Sequence, residues 1–438
     1  MRRGLICVAL LLAAVLVTVR GNAHVGAPDV YVKAAAGPYQ LLVSVHPPVV
    51  VPGSASIDVR TQDAGVTAVS VELSGGGWQP LQAFAKEQLF TGGVWISSSG
   101  AWQVRIRVSG DRGAGETSVP VPATTGAGAR RFLFSPLFWL LVLALVAGGW
   151  FAIRLPNKRY AVGATVLVAG YFVVLLVWSS GRDASAPTMA VSLEPGGRLE
   201  ILLPRREGDL GDLINDHGHL MHLFAVREPE MDVLLHLHPA QISAGRFEAR
   251  LPSMAGGAFK LYADVVHRDG TLETFTAQAG FPAQTGHALA GDDSVGVVPG
   301  ISRTAPISRP GMTSVRLMDG YRMTLELGSA LHARTGQLLR FTLLDAEGSP
   351  PADMQLYMGM SAHAAVFKSD GTVFAHIHPA GTLPMAAYGG SVMDMSGAPS
   401  REVSFPFGFP SAGAYRVFLE MKHGNIIETG AFDLKVLP

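Results

Sequence analysis

The chain has 438 residues, enough for several domains, with 48% hydrophobic and only 16% charged residues, a balance that indicates membrane segments. Its formal net charge is zero, which argues against an electrostatic nucleic-acid partner, so we expect no nucleic acid to be bound. The single cysteine, Cys7, lies in the predicted targeting segment, which excludes disulfides and thiolate metal sites from the mature chain.

The N-terminus has the pattern of an export signal. Arg2-Arg3 precede an apolar run, and residues 21–23 (GNA) are a suitable cleavage site, which predicts a signal peptide over residues 1–23. The alternative is an uncleaved signal anchor. Cleavage would leave His24 as the new N-terminus, and an N-terminal histidine can chelate copper through its amine and ring. An ordinary export junction explains His24 equally well.

Residues 24–128 contain short alternating strand candidates separated by Gly, Pro and Asp turns, a pattern that predicts a β-sandwich. Within it, GVWISSSGAWQVRIRVSGDRGAGETSVPVPA (residues 93–123) resembles the YtkA-like family of small extracytoplasmic modules. The resemblance implies an immunoglobulin-like fold for this domain. It does not imply a reaction, because one fold hosts many functions.

Two apolar runs, residues 132–153 and 160–179, have the length that a membrane-spanning helix needs. The connector at residues 154–159, RLPNKR, carries three positive charges and is predicted to be cytoplasmic. With an exported N-terminal domain, both ends of the mature chain then lie outside the cytoplasm. We therefore expect a protein of the bacterial cytoplasmic (inner) membrane, with its N- and C-terminal domains on the periplasmic side.

Two further β units follow the membrane segment. Unit 1 is predicted over residues 188–283 and unit 2 over residues 313–438, joined by a linker rich in Gly, Pro and Ser at residues 284–312. The expected fold class is mainly β, with three immunoglobulin-like β-sandwich domains and a transmembrane hairpin of two helices.

Unit 2 contains a predicted β-hairpin, MGMSAHAAVFKSDGTVFAHIHP, at residues 358–379. A turn centred on Ser369-Asp370 would place His363 directly opposite His376. His378 lies two residues further along the strand and so shares their face. The hairpin is expected to bring these three imidazoles together.

Unit 1 repeats the pattern in HLMHLFAVREPEMDVLLHLHP, residues 219–239. There His222 takes the part of His363, and His236 and His238 form the HxHP motif. His222 is therefore predicted to face His236, with an extra residue near the turn absorbed by a bulge or a longer loop. Similar sequences continue downstream in both units, so the two are predicted to superpose.

Three imidazoles on one face suit Zn, Cu, Ni or Fe, and thioethers select Cu(I). Copper is the expected cofactor, with zinc as the alternative. Most of the fifteen methionines lie in unit 2, although methionine is also an ordinary core residue. A hydrogen-bonded cluster of structural histidines is the alternative to a metal site. The predicted metal ligands are His222, His236, His238, His363, His376, His378, Met360 and Met221.

The two HxHP hairpins, together with SFPFGFPSAGAYRVFLEMKHGNIIETGAFDL (residues 404–434), resemble domains of uncharacterised bacterial envelope proteins associated with copper and heavy-metal handling. The resemblance covers most of residues 188–438 and implies metal binding, without a defined activity. Asp264 and Glu420 occupy matching positions, where they could complete a site or orient an imidazole. They could equally be surface carboxylates without a role.

The leading hypothesis is an extracytoplasmic metal-binding protein for buffering, delivery or resistance, whose partners are the membrane and a metal ion. The sequence has no nucleophile elbow, Gly-rich phosphate loop or HExxH motif, so we do not expect an enzyme. The alternatives are a structural or interaction protein that binds an envelope protein partner without metal, and a copper-dependent oxidoreductase. Metal content separates the interaction protein from the other two.

Overall fold

The computed structural model describes the chain in several ranges, within which the chain forms strands, turns and irregular connections but no helix. The predicted signal peptide and both predicted membrane spans lie outside these ranges, as do Met393 and Met395, two of the methionines of unit 2. The described residues are 24–25, 29–47, 53–73, 77–84, 88–97, 100–123, 187–204, 211–268, 272–285, 288–289, 291–301, 306–382, 384 and 399–438.

The N-terminal strands form a five-stranded sheet, β2-β3-β4-β8-β7, and a four-stranded sheet, β10-β9-β5-β6. Alternate apolar residues of both sheets form one buried core, which includes Leu41, Ile57 and Ile106. The strands are β1 (His24–Val25), β2 (Val30–Ala36), β3 (Tyr39–His46), β4 (Gly53–Thr61), β5 (Val66–Leu73), β6 (Gln79–Pro80), β7 (Gln82–Phe84), β8 (Leu89–Ile96), β9 (Gly100–Gly110) and β10 (Gly113–Ala123).

Unit 1 is a second two-layered assembly with its own core, formed by residues such as Leu223, Phe247 and Leu261. Its strands are β11 (Ala190–Glu194), β12 (Arg198–Leu202), β13 (Leu213–Ile214), β14 (His222–Glu228), β15 (Val233–Leu237), β16 (Ala240–Ser243), β17 (Arg246–Arg250), β18 (Gly257–His267), β19 (Leu272–Phe281) and β20 (Ser294–Val297). One sheet has the order β11-β12-β17-β16, and the other has β13-β18-β14-β15-β20 with β19 paired to β18. Part of the predicted linker, β20, thus extends a sheet of unit 1.

Unit 2 repeats this arrangement around a third core, which includes Leu325, Phe341 and Val417. Its strands are β21 (Gly311–Arg316), β22 (Arg322–Leu327), β23 (Gln337–Leu344), β24 (Met354–Gln355), β25 (His363–Lys368), β26 (Val373–Ile377), β27 (Glu402–Phe407), β28 (Gly413–His423) and β29 (Ile426–Val436). One sheet has the order β21-β22-β23-β27. The other has β1-β26-β25-β28-β24 with β29 paired to β28, so its edge strand β1 comes from the N-terminal segment.

The expectation of a mainly β chain is confirmed for the described residues, whose sheets are antiparallel apart from the parallel β1–β26 pair and some single bridges. Short strands between Gly, Pro and Asp turns produce this architecture because they alternate apolar and polar residues with a period of two. A search of the described residues for helices of sufficient length and apolarity to cross a membrane finds none.

Candidate metal centre

The larger sheets of units 1 and 2 lie face to face across a buried apolar patch. In this patch Tyr262 stacks on Phe374 with ring centres 4.2 Å apart, and Phe224 lies 5.4 Å from Phe374. Next to this patch, histidines collect on the same two faces. We call this group the polyhistidine cluster; its members are His217, His219, His222, His236, His238, His363, His376 and His378.

Strand alternation explains why the histidines collect on these faces. Residues two apart on a strand share a face, so His222 and Phe224 of β14 both point toward the partner unit. On β26, Phe374 and His376 do the same. The intervening residues, such as Leu223, enter the core of their own sandwich.

The predicted cross-hairpin pairs are wrong by two residues in both units. His376 lies opposite Ala365, and His236 lies opposite Phe224, on whose ring it stacks at 4.1 Å. Only a one-residue slip would move a side chain to the other face of the sheet. A shift of two therefore leaves the histidines converging as predicted.

The turn of the second hairpin explains this shift. The N–H of Gly371 donates a 2.8 Å hydrogen bond to the carbonyl of Lys368, so the predicted turn forms. Gly371 then has φ +71°, the left-handed region that favours glycine, and Thr372 follows it outside the ladder. Gly371 and Thr372 are thus two extra residues on the β26 side of the turn. Pairing with β25 therefore resumes at Phe374, opposite Phe367, instead of two residues earlier at Thr372.

A tight backbone turn precedes each hairpin, and in unit 1 this turn adds a further side chain to the cluster. His217 in unit 1 and Met358 in unit 2 occupy equivalent positions, and both have left-handed φ values, 52° and 49°. A glycine follows each of them. In unit 1 the turn is closed by hydrogen bonds between the backbones of Asp216 and His219 at 2.8 and 3.0 Å.

One group of three histidines comes from unit 1 alone. Each of His222, His236 and His238 offers a ring nitrogen, and these atoms lie within 4.8 Å of one another. Nδ1 of His222 is 3.2 Å from Nε2 of His236, while Nε2 of His222 is 3.0 Å from the carbonyl oxygen of Asp216. These are the three histidines that the sequence assigned to the site of unit 1.

The other group of three spans both units. It consists of His363 and His378 from unit 2 and His217 from unit 1, again with ring nitrogens within 4.8 Å of one another. The ring centre of His217 is 4.9 Å from that of His363 and 4.7 Å from that of His378. The sequence predicts His376 as the third member of this group, but the structure has His217 in that role.

His376 lies between the two groups. Its ring centre is 4.4 Å from His378 and 5.2 Å from His222, so it borders both triads. The rings of His363, His376 and His378 share one face of the sheet, with centres separated by 4.4–5.6 Å. They lie well inside the distance of about 10 Å beyond which bonds of about 2 Å could not join them to one metal.

Several ring nitrogens of the cluster are buried without a hydrogen-bond partner among the described residues. They are Nε2 of His217, His238 and His376, and both nitrogens of His363. The His363 side chain is fully buried, and a neutral imidazole has one donor and one acceptor to satisfy. Unpaired buried polar atoms are rare in folded proteins, so this concentration calls for an explanation such as a bound ion.

Burial also controls protonation in the cluster. Desolvation lowers the pKa of His222, His236 and His363 well below the ordinary histidine value, and neighbouring histidines lower it further. The same causes lower the pKa of His376. Neutral imidazole is the form that ligates metals, so the cluster is held in its ligating state.

Two buried carboxylates reach across the interface in a reciprocal way. Glu420 of unit 2 places Oε2 2.8 Å from Nδ1 of His236, and Asp264 of unit 1 places Oδ2 3.7 Å from Nδ1 of His376. Burial raises the pKa of each carboxyl to about 7. Such a carboxylate can fix the tautomer of an imidazole. The other nitrogen of His376, Nε2, has no hydrogen-bond partner among the described residues, whereas Nε2 of His236 lies 3.2 Å from Nδ1 of His222.

Further polar groups hold the edge of the cluster in place. Asp293 accepts a 2.8 Å hydrogen bond from the backbone N–H of His238 and lies 3.1 Å from its Nδ1. His219 stacks on His238 at 4.0 Å, and its Nε2 is 3.4 Å from Asp292. The side chain of His219 is 28% exposed, so this edge connects the buried rings to solvent.

The two predicted methionine ligands lie in different surroundings. Met221 is buried in the apolar core of unit 1, on the opposite side of the strand from His222, and is not brought to the cluster. Met360 is buried in the backbone turn that it forms with Tyr357. Met358 contributes its carbonyl oxygen, 3.0 Å from Nδ1 of His217. His24 lies in β1, paired with Val373 of β26.

Sequence reasoning passed over His217 and His219, although a signal for them was present. HGHLMH at residues 217–222 aligns with MGMSAH at residues 358–363, so that His217 and His219 stand where the other repeat has Met358 and Met360. The alignment identifies equivalent positions. It cannot show that the side chain of His217 packs across the interface against His363 of unit 2.

Fold and site together define a mainly β protein of repeated sandwiches, with a buried polyhistidine cluster between two repeats. Half of the chain, residues 186–281 and 314–437, matches one family, described as "Domain of unknown function (DUF8832)". The protein belongs to this family. Because that description names neither YtkA nor copper, both of those resemblances stay predictions. No curated protein sequence matches the chain.

Solved structures give only weak similarities. A tetra-tandem repeat from the extending region of a large adhesion protein is 12% identical, with 93% of this chain and 75% of that chain covered, at a TM-score of 0.18. A D1–D4 ectodomain fragment of ICAM-5 is 9% identical, with 90% and 76% covered, at 0.16. An engineered protein is 22% identical at 0.16, covering 20% of this chain and 21% of that chain. TM-scores this low carry no argument about function.

Proposed function

We propose that this protein binds transition-metal ions in the polyhistidine cluster between units 1 and 2. The observation that carries the proposal is the convergence of buried, uncharged imidazoles, several of which have a ring nitrogen without a hydrogen-bond partner among the described residues; these are His217, His238, His363 and His376. Burying such groups unpaired costs about 1–3 kcal/mol each. Metal–nitrogen bonds would offset that cost.

Copper is the proposed ion, with zinc as the alternative. Both triads offer imidazole nitrogen alone, a donor set that suits Cu and Zn. Cu²⁺ binds nitrogen sites more tightly than the other divalent first-row ions, so the centre would bind Cu²⁺ preferentially when these ions are equally available. Thioether ligation adds no support, since Met221 packs in a sandwich core.

We propose binding, for buffering, delivery or resistance, in preference to catalysis. The cavity beside the cluster is lined by His219, His222, His376 and Asp264 among others, and has a volume of about 10 Å³. By this measure the cavity admits about one water molecule, so the described residues around it leave no room for an organic substrate. It can serve as an entry path for an ion.

The location proposed for this centre is the periplasmic side of the cytoplasmic membrane. Support comes from the sequence, through the export signal at residues 1–23 and the apolar runs at 132–153 and 160–179. An alkaline phosphatase fusion after Pro438 should be active, because both ends are expected outside the cytoplasm. An inactive fusion that is still expressed would contradict this topology.

Metal analysis and calorimetry of the purified full chain test the proposed function. We expect one or two copper ions per chain, corresponding to the two triads. A variant with His222, His363 and His378 replaced by alanine should lose them. The matched control is His332→Ala, which removes an exposed histidine remote from the cluster.

The interaction-protein alternative predicts a different result. If neither Cu²⁺ nor Zn²⁺ binds stoichiometrically at neutral pH, the cluster is a structural hydrogen-bond network and the proposed function is wrong. Competition between the two ions in the same titration decides which of them the centre prefers.

A further inference from the structure

A second group of ligand atoms lies in unit 2, away from the polyhistidine cluster. Asp319, His423 and Glu428 each offer one atom, and these atoms lie within 4.8 Å of one another. They come from the β21–β22 connection, the end of β28 and the start of β29. His423 is three residues beyond Glu420 on β28, so its side chain points to the opposite face of the strand.

His423 is the buried member of this group, with 5% of its surface exposed. Its Nε2 is buried, has no hydrogen-bond partner among the described residues and lies 3.5 Å from Oε1 of Glu428. Its Nδ1 lies 3.5 Å from Oδ2 of Asp353. The ring of Tyr321 stacks on it at 4.4 Å, which holds the imidazole in this orientation. The unpaired nitrogen is thus aimed into a set of carboxylates.

Unit 1 contains the equivalent of part of this group, with a different outcome. There, the nitrogens of His267 lie 3.0 Å from Asp212 and 3.3 Å from Glu273, so both are paired. Hydrogen bonding to Glu273 and Asp212 outweighs burial and raises the pKa of His267 to about 9. A protonated histidine between two carboxylates is a complete ion-pair cluster. It has no lone pair left for a metal.

Two differences set unit 2 apart. The contacts of His423 with its carboxylates are longer than those of His267, and Asp319 adds a further carboxylate. The corresponding β11–β12 connection of unit 1, residues 195–197, reads Pro-Gly-Gly and supplies no carboxylate. Glu428 is also buried, with 8% of its surface exposed, and offers an oxygen within 4.8 Å of a carboxylate oxygen of Asp319. A cation would relieve the repulsion between these two carboxylates.

We infer that Asp319, His423 and Glu428 form a second cation site, independent of the polyhistidine cluster. Asp353 is close enough to His423 to supply a further ligand or to orient its ring. Carboxylate oxygens with one imidazole suit a divalent first-row ion such as Mn²⁺ or Zn²⁺. The oxygen-rich set distinguishes this site from the all-nitrogen triads, which favour copper.

Mn²⁺ is the sharper probe, because carboxylates attract it and all-imidazole sites bind it weakly. The full chain is titrated with MnCl₂, and free Mn²⁺ is read from its six-line electron paramagnetic resonance signal. We expect one saturable Mn²⁺ site. Asp319→Asn should weaken it by at least about tenfold, since losing even a residue that only orients a metal ligand typically costs about 10–100-fold in affinity.

The variants are chosen so that folding defects do not obscure the result. Asn at position 319 can still accept the 3.0 Å hydrogen bond from the N–H of Tyr321. Glu326→Gln, at an exposed position on β22, is the matched control and should bind as the natural protein does. Glu428→Gln provides a second test, with the melting temperature measured alongside.

Two results would overturn the inference. One is an affinity for Mn²⁺ that is unchanged in both Asp319→Asn and Glu428→Gln. The other is the absence of any Mn²⁺ or Zn²⁺ bound outside the polyhistidine cluster. Failure of the proposed function is a separate outcome, since it is read from copper binding and from variants of His222, His363 and His378.

Discussion

At the scale of single residues, His363 gives the strongest support for the proposed metal binding. It is fully buried, and neither ring nitrogen has a hydrogen-bond partner among the described residues. A histidine kept only for packing could be replaced by an apolar residue at no loss. A metal ligand retains its polarity because the bound ion supplies the missing partner.

Replacing His363 with leucine therefore has opposite effects on stability and binding. In metal-free protein, His363→Leu should raise the free energy of unfolding by about 1 kcal/mol, since an unsatisfied polar group is removed. The same variant should lose the ion of the triad shared with His217 and His378. Chemical denaturation with and without chelator, beside copper analysis, measures both effects. Lower stability of the metal-free variant with unchanged copper content would contradict the role of His363 as a ligand.

At the scale of elements, charged pairs connect neighbouring strands outside the cluster. In the N-terminal sandwich, His46 at the end of β3 has Nδ1 3.0 Å from Asp29 and Nε2 3.6 Å from Asp58 of β4. The ring of Tyr31 meets it edge-on at 6.4 Å. Hydrogen bonds to Asp29 and then Asp58 raise the pKa of His46 to about 9. The protonated imidazole thus ties β3, β4 and the start of β2 together.

This raised pKa predicts a defined pH dependence. The stabilisation by His46 is fully present below the unfolded value of about 6.5 and is lost as the pH rises through about 9. The pair is partly exposed, so we expect about 1 kcal/mol. Melting curves of the natural protein and His46→Asn should differ most near pH 6 and converge above pH 9. If the difference in melting temperature grew with pH instead, the protonated form of His46 would not be the one that stabilises the fold.

At the scale of the whole molecule, the cluster depends on how units 1 and 2 pack. Beside the apolar patch, Arg416 of unit 2 donates hydrogen bonds to the carbonyls of Met231 at 2.7 Å and Pro299 at 2.8 Å. On the other side, Nζ of Lys260 donates to the carbonyl of Gly371 at 2.6 Å. These contacts set the distance between the two histidine-bearing faces, on which a triad containing His217 depends.

Removing an aromatic ring from this interface should therefore weaken metal binding without touching a ligand. Phe374→Ala should cost about 3–5 kcal/mol of stability, as buried Phe→Ala changes do. It should also weaken copper binding by about tenfold, a coupling of ordinary size. Phe341→Ala in the core of unit 2 is the matched control, with a similar loss of stability and little change in affinity. If both variants weakened copper binding equally, the loss of affinity would follow from general destabilisation and not from the packing of the interface.

Much of the local arrangement follows from the sequence alone. Alternating apolar residues between Gly, Pro and Asp turns specify a mainly β chain, because strands have a period of two. The same period puts His376 and His378 on one face, whatever the exact register. The error of two residues in the predicted pairs shows the limit of this reasoning. A turn motif marks where the chain reverses, but the extra residues at Gly371 and Thr372 decide where pairing resumes.

The sequence determined that two repeats each carry histidines on one face of a hairpin. Only the tertiary structure decided that these faces lie against each other, which places His217 with His363 and His378 and sets Glu420 against His236. The physical reason is that strand periodicity is a local property, whereas the packing of one sheet on another depends on the shape of both whole surfaces. What the sequence presents as two separate groups of histidines is therefore one polyhistidine cluster between the two units, within which the two triads lie side by side.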